Sequence, residues 1–186
     1  LPERAPSYFF VDVQNAQLPA FRDRLVSDPA VSDFESAPML RGVITRINGS
    51  PAREVAGDHW TLRGDRGVTY AATPPDGTTL TAGSWWPEDY DGPPLVSFAA
   101  EEGAELGLEL GDELTVNILG RDITATIASF REVDFSTGGI GFVMAMNPGA
   151  LAGAPHSHIA TIHVADADEG GLLDDLTARF PNVTAI

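Results

Sequence analysis

The 186-residue chain has no cysteine, and its basic residues are all arginine: lysine is absent. Without cysteine there is no disulfide, no thiolate nucleophile and no cysteine-based zinc site, and the absence suits an oxidising or a reducing compartment. Without lysine there is no Schiff-base chemistry and no P-loop lysine, so a Walker-type ATP site is excluded. Positive charge is scarce altogether. Eleven arginines face 27 acidic residues, giving a net charge of −16 at pH 7. Such a surface repels nucleic-acid phosphates and anionic lipid headgroups, which argues against both as primary ligands.

Catalytic signatures are missing as well. There is no G-x-S-x-G elbow, and no serine has a histidine partner by motif. The acidic residues fall mostly in adjacent pairs, such as Glu88-Asp89, Glu101-Glu102 and Asp174-Asp175. Neighbours in sequence do not face each other on a helix, so these pairs read as solvated surface rather than acid–base dyads. Asp166 to Asp175 lacks calcium-loop spacing. These absences point to a chain that is not an enzyme and that carries no cofactor of its own.

A long uncharged stretch, Phe135 to Ala165, exceeds the length of a bilayer span. Asn147-Pro148, Pro155, His156 and His158 interrupt it, and a spanning helix would not tolerate them in lipid. Two strands joined by a proline-glycine loop are expected there instead.

A hydrophobic fraction of 43% with 20% charged residues is that of a globular protein, which excludes a disordered tail. Near the N-terminus, Ser7 to Val13 reads as a strand. A helix follows from about Pro19, with Leu18, Phe21 and Leu25 on one face. Asp28-Pro29 ends it. Val31 to Phe34 and Leu40 to Ile47 continue as extended chain up to the turn pair Asn48-Gly49. The C-terminus repeats the plan. Ile159 to Val164 is a strand, Asp166 or Asp168 can cap a helix presenting Leu172, Leu173, Leu176 and Phe180, and Val183 begins a last strand. Two strand–helix–strand units at opposite ends predict one α/β layer of the split βαβ kind. Between about Gly57 and Gly139 the chain is strand-rich and broken by turns, as expected of an inserted β module. The expected fold class is α+β.

Within that module, Pro94 to Asp134 reads as a strand, a short acidic helix and a hairpin. Ser97 is expected to cap the helix, with Glu101 and Glu102 near its positive end and Gly107 as its stop. Leu114, Val116 and Ile118 alternate with polar residues. Gly120-Arg121 reads as the hairpin turn, and Ile123, Ala125 and Ile127 line the return strand.

The stretch VSFAAEEGAELGLELGDELTV (Val96 to Val116), together with MLRGVITRINGSPA (Met39 to Ala52), TLTAGSWW (Thr79 to Trp86) and SFREVDFSTGGIGFVMAMNPGAL (Ser129 to Leu151), resembles the extracytoplasmic domain of FtsX/MacB-type ABC transporter permeases, closest to the YbbP branch. The resemblance implies a porter-like subdomain from residues 1–56 and 140–186 and an inserted sabre-like subdomain from 57–139. It implies a periplasmic domain of an inner-membrane parent, with ATP bound by a separate cytoplasmic ATPase and motion relayed outward. It further implies hydrophobic compounds or lipids as substrate, a second permease copy, and a periplasmic esterase or lysophospholipase as partner. The chain starts without methionine and stops in what reads as a strand, as expected of a loop from a longer protein; the alternative is a stand-alone secreted or periplasmic binding module.

Two clusters remain as site candidates. Trp85 and Trp86 would point to opposite faces of a strand, leaving one for a partner or an apolar ligand, in the company of Tyr90 and Trp60. His156 and His158 would share a strand face, with His163 on the other; strand histidines are the ordinary reading and metal ligation the sharper one.

Overall fold

The computed structural model describes residues 5–136, 138–165 and 169–186. In chain order the elements are β1 (Tyr8–Gln14), α1 (Leu18–Val26), β2 (Val31–Ile47), β3 (Ser50–Pro51), α2 (Ala52–Ala56), a 3-10 turn (Trp60–Leu62), β4 (Arg66–Tyr70), β5 (Leu80–Gly83), β6 (Leu95–Ala99), α3 (Ala100–Glu105), β7 (Glu113–Ile118), β8 (Arg121–Arg131), β9 (Met144–Met146), α4 (Pro148–Leu151), β10 (Ser157–Val164), α5 (Glu169–Arg179) and β11 (Thr184–Ala185). This is the expected α+β class. Two compact units divide the chain. The first holds the residues up to Met39, Asp134–Gly141 and His156–Ile186; the second holds Leu40–Val133 and Phe142–Pro155.

In the first unit β10 lies between β1 and the first part of β2, and β11 lies outside β1, every pair antiparallel. The two strand–helix–strand halves therefore interleave, which is the split βαβ arrangement. Its core joins Phe10, Val13, Phe21, Leu25, Ile162, Leu172, Leu176 and Phe180. Phe21 and Leu25 lie one turn apart on α1, so both bury from one face. Phe21 meets Phe10 and Phe180 edge-on, with centroids 5.3 and 5.4 Å apart. Each such fully buried side chain stabilises the unit by about 1.5–3 kcal/mol.

The second unit is organised on β8, which pairs with β7 and β5 antiparallel and with β6 in parallel. β9 lies between β4 and β6. Lateral pairing puts Val68, Met144, Phe98 and Phe130 in one row across four strands. All four are buried, and α3 packs on this row through Gly103: a β-carbon there would stand 2.6 Å from the Phe130 ring. The next row, on the opposite face, is Thr69, Ala145, Ser97 and Ser129, all buried.

Several expectations are corrected. The division falls after Met39 rather than after residue 56, because β2 runs unbroken from Val31 to Ile47 and no turn marks the boundary. Phe142–Pro155 likewise belongs to the second unit, since β9 completes its sheet. Ser97 caps nothing: it lies inside β6, and Ala99 occupies the cap position without a side-chain bond. The hairpin turn is Leu119-Gly120, because Ile118 pairs with Arg121. Pro148-Gly149 opens a helical turn rather than a loop. The expected caps Asp166 and Asp168 lie outside the described residues.

Candidate functional site

The aromatic pair sits just beyond β5. At Gly83 the backbone is left-handed, with φ of +74°, and the strand ends there. Strand parity no longer governs the residues that follow, so Trp85 and Trp86 do not diverge: their rings lie 4.3 Å apart at 37°. Trp86 is 5% exposed, and its Nε1–H donates to the Ala71 carbonyl at 2.9 Å. It is an interior residue. Trp85 is half-buried, and its Nε1 makes no hydrogen bond within the protein. Tyr90 turns inward on its own loop, donating to the Pro93 carbonyl at 2.7 Å. Trp60 stands on the 3-10 turn beneath the Arg66 guanidinium, 5.5 Å from the ring centre.

The histidines divide as strand parity predicts. His156 and His158 lie edge to face at 5.3 Å. His158 is 8% exposed, and its Nε2 is bonded to Asn15 Oδ1. Burial, and secondarily His156, lowers the His158 pKa. His163 instead faces the Ser7 hydroxyl at 3.3 Å from Nδ1. Among the described residues no three His, Cys, Asp or Glu side chains converge as metal ligands would.

A shallow cleft in the first unit is lined by Arg24, Asp28, Pro29, Ala30, Ala165, Gly171 and Leu172. Its cation is already occupied. Arg24 bonds Asp175 through Nε and Asp28 through Nη1, the latter at 2.9 Å, and both carboxylates are held below the usual range by that guanidinium.

One polar centre has no motif in the sequence. Arg131, at the end of β8, is 8% exposed and donates to the carbonyls of Ser97, Phe142 and Val143. Burial pulls its pKa down to about 10, opposed by the charge of Glu102, so it remains a cation at neutral pH. Beside it Ser129 donates to Ser97 Oγ at 2.7 Å, both residues wholly buried. With no exposed face, these hydroxyls hold strands together and have no access to a substrate. Only the break in apolar alternation at Arg131 could have signalled the centre.

No family model matches the chain. Over all 186 residues it is 25% identical to the uncharacterised ABC transporter permease YbbP of Escherichia coli (strain K12). The match takes in 22% of that permease, so the chain spans about a fifth of the relative's length. In fold it is similar to a solved domain from Porphyromonas gingivalis whose parent is described as a permease protein. That likeness has a TM-score of 0.51 and 13% identity, and it covers 96% of this chain and 87% of the other. No helix among the described residues is long and apolar enough to cross a membrane. Matched along its whole length by part of one permease and in fold by a domain of another, the chain is similar throughout to a domain of ABC transporter permeases of the YbbP type.

Proposed function

We propose that the chain is the extracytoplasmic domain of an inner-membrane ABC permease, looped out between two membrane helices of its parent. The full-length match to a fifth of a permease carries this reading. The geometry of the first unit supports it. β1 and β11 are antiparallel neighbours, and Phe9 and Ile186 exchange backbone hydrogen bonds. Residues 9 and 186 therefore lie side by side, an arrangement that suits a domain inserted between two helices.

On this reading ATP is hydrolysed by a cytoplasmic ATPase partner and not by this segment, which has neither a lysine nor a Walker loop. Helix motion in the membrane would pull on β1 and β11 together. Their ladder to β10 and β2 would pass the displacement on as a rigid-body movement, because a packed sheet resists continuous deformation. The work done is export or membrane extraction of hydrophobic compounds or lipids, or docking of a periplasmic partner such as an esterase or lysophospholipase, with a second permease copy completing the assembly. The domain itself is not an enzyme.

The test is to read the parent frame on both sides of this segment and to isolate the parent from detergent-solubilised membranes. Apolar spans of about 20 residues on both flanks, and co-isolation of an ATPase, are expected. A cleavable signal upstream and a stop codon after Ile186 would favour the free-standing binding module.

A further inference from the structure

Two hairpins of the second unit use the same tight turn with different residues. Asn48-Gly49 joins β2 to β3, and Leu119-Gly120 joins β7 to β8, each pair flanked by directly paired residues. The backbones agree closely: φ is +49° and +82° in the first turn, +52° and +82° in the second. A left-handed first position suits asparagine and strains a leucine, whose β-carbon crowds the following carbonyl. Burial does not compensate, since Leu119 is 66% exposed. The chain keeps leucine where asparagine, used 71 positions earlier for the same turn, would be easier to fold.

The flanks of this tip are cationic. Arg121 follows the turn directly, and on the adjacent strand Arg41 is the neighbour of Gly42, which pairs with Ile118 at the end of β7. Both arginines are exposed, and among the described residues neither has an ion-pair partner. In a chain of net charge −16, this exposed leucine thus lies near two exposed arginines, while the carboxylate of Asp122 accepts from Asn117 Nδ2 at 2.9 Å.

We propose that Leu119 is a docking anchor, inserting into an apolar pocket of a protein partner whose rim carries carboxylates that pair with Arg41 and Arg121. A single apolar side chain on a stiff turn fills a pocket, and the arginines beside it suit the polar rim of an interface. A membrane surface instead recruits extended apolar faces, and it would meet the repulsion of the remaining acidic surface. The assignment does not depend on the permease reading.

The experiment places a photo-crosslinking residue at Asp122 in the full-length parent, in its native cells, with Leu119 either intact or as Leu119→Asn. One adduct of defined mass is expected with leucine and none with asparagine. The crosslinked protein, identified and purified, should bind the Leu119→Asn, Arg41→Glu and Arg121→Glu variants at least tenfold more weakly than the wild type. Leu119→Asn should also raise the melting temperature, by roughly 2–4 °C, which separates lost docking from lost folding. The proposal is overturned if no Leu119-dependent adduct forms, or if the adduct is a second copy of the same chain. It is also overturned if the purified parent's domain sediments with anionic phosphatidylglycerol vesicles in a Leu119-dependent way.

Discussion

Arg131 Nη1 donates to the Ser97 carbonyl at 2.6 Å, fastening the end of β8 to its parallel neighbour β6. The same guanidinium reaches the carbonyls of Phe142 and Val143, where the chain returns to this unit before β9. One side chain thus closes the departure and the return of the chain. Arg131→Met should destabilise the protein by about 3 kcal/mol or more, because the carbonyls lose a charged donor while staying buried. Arg131→Lys keeps the charge without the planar fork and should recover only part of the loss. Chemical denaturation of both variants, with hydrogen exchange at the Ala99 amide that donates to Val143, checks this.

The tryptophans should separate cleanly. Trp86→Ala removes an interior ring and is expected to cost about 3–5 kcal/mol. Trp86→Phe should cost about 1–2 kcal/mol, mainly through the lost bond to Ala71. Trp85→Ala should cost less than Trp86→Ala, since Trp85 is half-buried and holds no hydrogen bond. Equal unfolding midpoints for the two alanine variants would show that Trp85 belongs to the core as fully as Trp86.

His158 makes stability depend on pH with a definite sign. Its folded pKa lies below the ordinary imidazole value of 6.5, first through burial and then through His156. Below that value the unfolded chain binds the proton more readily, so stability falls as pH drops from about 6.5 toward the lower folded pKa. The cross-strand neighbours are Val13 and Pro38, and the ring also meets Asn15 and His156. None of these carries a carboxylate that would offset the charge. Melting temperatures between pH 7.5 and 5 should decline less steeply for His158→Gln than for the wild type.

Gly83→Ala is expected to break the β5–β8 pairing. The added β-carbon would stand 2.1 Å from the Ala128 carbonyl oxygen, and backbone cannot step aside as a flexible side chain can. A cost of about 2 kcal/mol or more follows, measured by denaturation, with greater exchange of the Ser84 amide that bonds Ala128.

The split βαβ unit was legible because both termini carry the same signals: apolar spacing on the helix, a proline stop, and valine-rich strands. What escaped depends on contacts between distant residues. Ser97 has the chemistry of a cap, but β6 continues to Ala99, and its hydroxyl is taken by Ser129 on another strand. The turn at Leu119-Gly120 was displaced by one residue because nothing local marks a leucine for a left-handed backbone. Trp85-Trp86 obeyed strand parity on paper, yet the strand stops at Gly83. The unit boundary was hidden inside β2, and Arg131 reads as surface until the carbonyls of a segment eleven residues later enclose it.

The most direct test of the extracytoplasmic assignment uses the absence of cysteine from this segment. A Glu88→Cys substitution, at an exposed position, is introduced into a full-length parent otherwise cleared of cysteine, and intact spheroplasts are treated with a membrane-impermeant maleimide. The domain assignment predicts labelling without permeabilisation and no further gain when the membrane is opened. Labelling that appears only after permeabilisation would put the domain on the cytoplasmic side and contradict it.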